Sequence, residues 1–511
     1  MKVCLVRPPI LTGKLAFMSV LTPPLGPAYV AAALRASGHH VSMVDAVGED
    51  PVQVNPVNQD YILQGLSFDQ IVRRIPPDSD VIGISCMFSS EWVQVRELIR
   101  KIARNHKNAF IIGGGEHFTA TAEFCLQQCP EINAIVLGEG EETAVELVNS
   151  LEQQISLNSV DGLVLQCETG IIKTRPRQRI KSIDNVVKPA WDLVNIDNYF
   201  KNNLYFGVNR GRSMPLLASR GCPYHCTFCS NPAMWQPKWY ARTPQMVIDE
   251  IQEYKDKYSI SNIDFYDLTA IVKKSWILEF AKLMVDQNVN VTWQIPAGTR
   301  SEALDKEVTK WLYQSGCRNL TYAPESGSMK TLKNSKKKVN LRSLQSSLRG
   351  AVKQKINTKI NILIGLPGES HVDIWKTIML LVKLSFAGAH DVSVAVFSAY
   401  PGTEEFQILL NQKKITLNDH YFQSLSYQDF KEKISYSDHL SGAWLSFYNL
   451  LCFAVFYGSN YMFRPYRLIL TIMNIIRGKQ ESRGELALTE MIKRRKSIKQ
   501  LHLEKKQESL L

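Results

Sequence analysis

The chain has 511 residues, 45% of them apolar, with ten cysteines and 60 Lys and Arg against 48 Asp and Glu, a formal charge of +12. That composition excludes a disordered chain, a collagen-like repeat and a polytopic membrane protein, and the length suits two or three domains that each bury a core. Most of the charge lies at one end: residues 464–511 hold twelve Lys and Arg and five Asp and Glu, a net +7, which leaves +5 for the other 463 residues.

The N-terminus reads Met1-Lys2-Val3-Cys4-Leu5-Val6-Arg7-Pro8-Pro9, an apolar run too short for a secretory leader and halted by proline. Ten cysteines without such a leader point to a reducing compartment, a bacterial-type cytoplasm. Short β-rich runs at 2–6, 40–46, 80–86, 109–115 and 134–139 alternate with helical periodicity at 27–37 and 91–105. This alternation predicts a doubly wound parallel sheet over 1–155, with its ligand crevice beyond the strand C-termini. The turns there are Thr22-Pro23-Pro24-Leu25-Gly26, Ser85-Cys86-Met87-Phe88-Ser89, Gly113-Gly114-Gly115-Glu116-His117 and Gly138-Glu139-Gly140-Glu141. Glycine and serine at these points serve close approach to a ligand or tight turning, and the residues alone leave both readings open.

Residues 156–210 are polar and charged around 173–181 and read as a connection. Alternation resumes over 211–430, with strands expected near 215–220, 262–266, 291–296, 319–323, 358–364 and 391–397. Six βα units make a partial parallel barrel, a (β/α)6 fold whose chemistry belongs on the loops at the strand C-termini. The first of those loops is Gly221-Cys222-Pro223-Tyr224-His225-Cys226-Thr227-Phe228-Cys229. Three thiolates at spacings x3 and x2 suit zinc or an iron–sulfur centre. A structural zinc site wants four closed ligands, no second Cys/His group stands nearby, and His225 is poorly placed to close a tetrahedron. On a four-iron cubane, three cysteines leave one iron open. The other seven cysteines are scattered in apolar or helical contexts.

The cysteine spacing, with Phe228 before the third cysteine, resembles the radical S-adenosylmethionine (SAM) superfamily. The resemblance implies a [4Fe-4S] cluster on Cys222, Cys226 and Cys229, SAM chelated at the open iron, and one-electron cleavage of SAM to an adenosyl radical. It implies SAM contacts at Phe228, at Asp267 in Asp264-Phe265-Tyr266-Asp267, at Arg300, at Glu325 and Ser326 in Pro324-Glu325-Ser326-Gly327-Ser328, and at Gly365 in the segment from Asn361 to Glu369. The ordinary alternatives are a turn aspartate at 267 and a surface ion pair at Arg300. Over roughly 1–430 the chain is similar to the subgroup with a cobalamin-binding domain before the barrel, which includes the anaerobic magnesium-protoporphyrin monomethyl ester cyclase and hopanoid and tetrapyrrole enzymes. This implies a cobalamin site at Pro24, Gly26, Ser85, Gly114, Gly115, His117, Gly138 and Glu139. The Asp-x-His-x-x-Gly element that supplies an axial histidine elsewhere is absent from the sequence, and neither His117 nor the His39-His40 pair replaces it.

Residues 431–511 are expected to form a helical, basic extension. The 23-residue stretch 441–463 lacks a formal charge but contains five Ser and Asn residues, a second apolar stretch covers 468–476, and Lys493-Arg494-Arg495-Lys496 follows. A helical cap on the barrel, an interfacial anchor on anionic lipid and a membrane span are the three readings. No RNA-binding module is recognisable, and no nucleic-acid partner is expected. The function expected from the resemblance is methylation of an unactivated carbon, with an external one-electron reductant; that the substrate is apolar, a lipid or isoprenoid, or else a natural product, is suggested only by the tail. An oxidative or ring-forming radical enzyme and a non-catalytic corrinoid carrier are the alternatives.

Overall fold

The computed structural model describes residues 1–14, 21–168, 170–426, 433–479, 481–482 and 484–485; the basic run 493–496 lies outside them. In the N-terminal half, β1 (Lys2–Arg7), β2 (His40–Asp45), β3 (Val81–Ser85), β4 (Phe110–Gly114) and β5 (Ala134–Val136) form a parallel sheet in the order β5-β4-β3-β1-β2. Helices α1 (Leu25–Ala36), α2 (Trp92–Asn105), α3 (Glu116–Gln128) and α4 (Gly140–Glu152) cover it. One face packs on Ala31, Leu34, Leu147 and Val148, the other on Trp92, Leu98, Ile102 and Phe118. The apolar residues of α2 recur at three- and four-residue spacing, which turns one stripe to the sheet. The stretch read as a connection contributes more than a linker: β6 (Leu163–Cys167) and β7 (Gly170–Lys173) extend the sheet as an antiparallel pair beside β5. The run Leu163-Val164-Leu165 is buried there and supplies the reason.

The second half is a six-stranded, all-parallel sheet in chain order: β8 (Ser213–Leu216), β9 (Asn262–Phe265), β10 (Thr292–Thr299), β11 (Cys317–Glu325), β12 (Asn357–Ile364) and β13 (Asp391–Val396). Helices α5 (Pro244–Tyr258), α6 (Lys274–Asp286), α7 (Lys306–Gln314), α8 (Leu341–Lys353) and α9 (His371–Ala387) connect the strands. In β12, Thr358, Ile360, Ile362 and Ile364 are buried while Lys359, Asn361 and Leu363 on the other face are half-buried. The ladder is therefore covered outside and partly accessible inside.

The helix directly after β13, Glu404–Asn411, buries Phe406 and Leu409 in the core of the N-terminal half. The last flank of the barrel is covered by α10 (Gly442–Phe463), which packs on α9 and β13 and buries Leu445, Tyr448, Asn449, Cys452, Phe456 and Asn460. Asn449 donates to the Val394 carbonyl at 2.8 Å and Asn460 to that of Ala389 at 2.6 Å, so two uncharged polar residues of this apolar stretch cap backbone of the last strand and of the turn before it. Of the three readings of 441–463, the cap matches this packing. Among the described residues no helix is long and apolar enough to cross a membrane. Beyond α11 (Tyr466–Arg477), Glu481 accepts from Arg210 at 2.9 Å beneath the N-terminal end of the barrel.

The two halves are joined by buried charge. Glu139 accepts from Arg179 Nε at 2.8 Å and from Arg220 at 3.1 Å, and Arg220 also reaches Glu141 at 2.6 Å. The Tyr29 ring lies 4.9 Å from the Arg220 guanidinium. Removing one partner of such a set leaves another charge buried and unpaired. Glu139→Ala is therefore expected to lower unfolding free energy by about 3–5 kcal/mol, read from denaturant melts, whereas alanine at exposed Glu152 changes it little.

Candidate functional site

The cysteine loop leaves a two-residue ribbon, Ser219–Arg220, paired with Tyr240–Ala241. Gly221 opens it at φ +82°, where an added Cβ would lie 2.2 Å from the Lys238 carbonyl oxygen, so only glycine fits. The loop is fastened by Asn231 to the Cys222 carbonyl at 3.1 Å, by the Thr227 amide to the Ser335 carbonyl at 3.1 Å, and by the Thr227 hydroxyl to Glu405 at 2.8 Å. Cys222, Cys226 and Cys229 are half-buried free thiols. Cys167 is half-buried on β6, and the other six cysteines are buried.

Among the described residues no three His, Cys, Asp or Glu side chains are grouped to hold a single metal ion. A zinc site needs its donors around one ion. An iron–sulfur cluster asks each cysteine for a bond to a different iron, and one loop carrying three half-buried free thiols suits that demand by its donor chemistry. Burial pushes all three thiols up, Cys229 to about 12, while Arg300 and Lys337 pull Cys222 and Cys226 the other way.

These cations stand at the mouth of the barrel with Glu325. Lys337 Nζ donates to Glu325 at 2.9 Å with its side chain 9% exposed, and lies 6.0 Å from the Phe228 ring centre. Burial opposes its charge, but Glu325 and Cys226 more than offset that and hold it above the ordinary lysine value. Arg300 stacks its guanidinium 3.6 Å from the Tyr224 ring centre and donates to the Lys338 carbonyl. Register shifts occur in the β10–β11 pairing before Thr299 and in the β11–β12 pairing before Glu325. Such irregularities re-aim side chains at strand ends, and Glu325 itself is held at φ +66°, a strained conformation for a non-glycine residue. Thr299 Oγ1, Ser301 Oγ and Asn361 Oδ1 are buried without a hydrogen-bond partner, and Arg300 Nε, which also makes no hydrogen bond, forms an ion pair with Glu302 at 3.6 Å. Orphaned buried polar atoms are rare, and this set suits a ligand carrying a carboxylate and hydroxyls, as SAM does.

Several predicted positions serve the scaffold instead. Asp267 is fully buried and accepts from the Ala218 amide at 3.1 Å and the Ser219 hydroxyl at 2.5 Å, clamping the approach to the cysteine loop; burial raises its pKa to about 6. Ser326 is equally buried, against the Thr377 hydroxyl at 3.1 Å and the Ser328 amide at 3.1 Å. Gly365, at φ +84°, donates its amide to Glu369 at 2.6 Å and lies beneath Leu445 of α10. Lys337 was not predicted: in the sequence it is one member of the run Lys336-Lys337-Lys338, which reads as solvated charge.

At the sheet end of the N-terminal half, Pro24 precedes α1, and Ser85 and Gly114 end β3 and β4. A Cβ at Gly26 or Gly114 would meet nothing within 4 Å, whereas at Gly115 it would lie 2.5 Å from the Cys86 carbonyl oxygen. Gly138, at φ +68°, is bonded through its amide to Thr119 at 3.0 Å. Met87 and Phe88 are the exposed large apolar groups of this rim, 56% and 45% accessible, and were not singled out in the sequence. Two predicted contacts are corrected. His117 is sealed among Trp92, Phe118 and Phe422, bonded to Ser89 at 2.9 Å, with burial lowering its pKa to about 3. Glu139 is committed to Arg179 and Arg220. His40 pairs with Lys2 at the opposite end of the sheet.

The two mouths meet. Ser230, directly after Cys229, donates to Glu116 at the start of α3, and the Met234 carbonyl lies 3.6 Å from the Cβ position of Gly138. A small cavity lined by Gly207, Gln294, Asn319 and Glu481 lies at the other end of the barrel and takes no part in this arrangement.

Comparison with known proteins agrees with this division. Residues 17–148 match the B12 binding domain and 216–381 the Radical SAM superfamily. An uncharacterized methyltransferase of Pyrococcus horikoshii is 29% identical over 82% of this chain and 85% of its own. The cytidylyl-2-hydroxyethylphosphonate methyltransferase of Streptomyces wedmorensis is 29% identical over 68% and 69%. The fold is shared with the radical SAM methyltransferase TsrM of Kitasatospora setae, solved with cobalamin and a [4Fe-4S] cluster, at a TM-score of 0.62 and 16% identity over 80% of this chain and 75% of that one. The chain thus carries a B12 binding domain leading into a radical SAM domain, the domain pair of the cobalamin-binding radical SAM enzymes.

Proposed function

We propose that this protein is a methyltransferase that places a methyl group on an unactivated carbon of an apolar or natural-product substrate. One observation carries the reading: the exit of the cysteine loop, at Ser230 and Met234, packs on Glu116 and against Gly138, so the two cofactor domains open on each other. The two relatives described above are methyltransferases by name, which supports methyl transfer over oxidation or ring formation. When bound, the cluster with SAM supplies one-electron cleavage and cobalamin supplies a methyl carrier. The chain supplies binding, orientation and exclusion of water. Cys222, Cys226 and Cys229 hold the cluster. Arg300, which is paired with Glu302, and Lys337 hold the SAM carboxylate, and Glu325 takes the ribose hydroxyls. Pro24, Gly26, Ser85, Gly114, Gly115 and Gly138 border the corrinoid, with Met87 and Phe88 as its apolar floor. An external reductant of flavodoxin or ferredoxin type, a cytoplasmic location and peripheral membrane contact through 441–511 belong to the same reading, the last because an apolar stretch there adjoins clustered basic residues.

Anaerobically reconstituted protein given methyl-labelled SAM should yield labelled product and S-adenosylhomocysteine. Deoxyadenosine with an unlabelled, oxidised or cyclised product would overturn methyl transfer, and cobalamin binding without SAM cleavage would leave a carrier. Cys226→Ser should abolish the visible absorption of the [4Fe-4S] cluster and SAM cleavage while the thermal melt stays cooperative. Lys337→Met should weaken SAM binding by about tenfold to a hundredfold, the worth of a charged hydrogen bond, with Lys337→Arg restoring most of it. Unchanged SAM affinity with lost iron would assign Lys337 to the cluster.

A further inference from the structure

Helix α11 is turned inside out. Its polar positions 467, 471 and 474 share one face at spacings of four and three, and that face looks inward. Arg467 donates to the carbonyls of Ala389 at 2.8 Å and Gly388 at 3.0 Å, and Asn474 donates to Glu485 at 3.0 Å. None of its residues is buried, and Ile469, Leu470, Ile472 and Ile476 are exposed, Ile476 at 79%. A helix on a water-facing globular surface carries the opposite arrangement. The apolar side continues onto the barrel: the rings of Phe463 at the end of α10 and Phe386 at the end of α9 meet at 5.2 Å, and both are exposed. Trp444 at the start of α10 is also exposed.

We infer that the outer face formed by α9, α10 and α11 docks on an anionic lipid surface, with α11 lying in the plane of the interface. The inference rests on the peripheral-contact part of the proposed function and names the face that makes the contact. An outward apolar stripe of this extent needs a non-aqueous neighbour. Tryptophan, phenylalanine and tyrosine at its border suit the headgroup region. At 12 residues α11 is about 18 Å long, too short to cross a bilayer. The charge selects the occupant: residues 464–511 carry a net +7, most of it in the sequence that follows α11 outside the described residues, and anionic headgroups attract such charge. Two copies of the chain would bring the same positive charges together.

The test is flotation of the full chain with vesicles of phosphatidylcholine, alone and with phosphatidylglycerol, which needs no loaded cofactor. The full chain should float with the anionic vesicles and be released by salt. The double variant Ile469→Glu, Ile476→Glu, both at exposed positions, should bind them at least about tenfold more weakly with an unchanged thermal melt. Equal binding by the variant, with loss only on deletion of 486–511, overturns the α11 face and leaves peripheral contact standing. Absence of vesicle binding overturns both. If that absence comes with a concentration-dependent dimer that the variant breaks, the face belongs to a second copy; if it comes with a monomer, nothing docks there.

Discussion

The arrangement depends on where one arginine is held. Arg220 ends the short strand before the cysteine loop, and its guanidinium is buried between Glu139 and Glu141 at the sheet end of the other domain. In such surroundings a charge has no cheap alternative partner, so the contact fixes position more than it adds net stability. It fastens the first residue ahead of Gly221 to the rim that borders the corrinoid crevice. The register between the two cofactor domains thus passes through a contact one residue from the loop that carries the thiols. Asp267 clamps the same approach from inside the barrel, through Ala218 and Ser219. Two buried carboxylate systems therefore set the cysteine loop from opposite sides, and neither is aimed at a ligand.

This explains which part of the site could be read from sequence. The strands were legible because buried parallel strands are short apolar runs between helical periods. The cysteines were legible because their spacing is local and no other chemistry asks for it in that form. Asp267 and Glu139 were placed at the correct strand ends and given the wrong partners, since a carboxylate at a strand terminus looks the same whether it faces a ligand, a backbone amide or an arginine from 40 or 80 residues away. Lys337 was invisible for the converse reason: its role comes from Glu325 and Phe228, which the fold brings to it, while its neighbours in sequence advertise only solvated charge.

The C-terminal stretch shows the same limit on a larger scale. Its lack of charge is common to a cap, an anchor and a span, and its five Ser and Asn residues argue against the span without choosing between the other two. Only the barrel decides among them, because Asn449 finds its acceptor on β13 and Asn460 finds its own on the turn before it. Once α10 is withdrawn into the barrel as its last helix, the interfacial signal contracts to α11 and the outer rims of α9 and α10, a smaller feature than the composition of 441–511 implies.

The displaced position of that last helix has a consequence for how the chain is made. The edge of β13 is complete at Val396, but the helix that covers it ends at Phe463. During synthesis from the N-terminus the parallel sheet must wait, with an open edge and an uncovered apolar flank, until nearly seventy further residues have left the ribosome. Nascent chains interrupted within that interval carry the unpaired edge that templates aggregation.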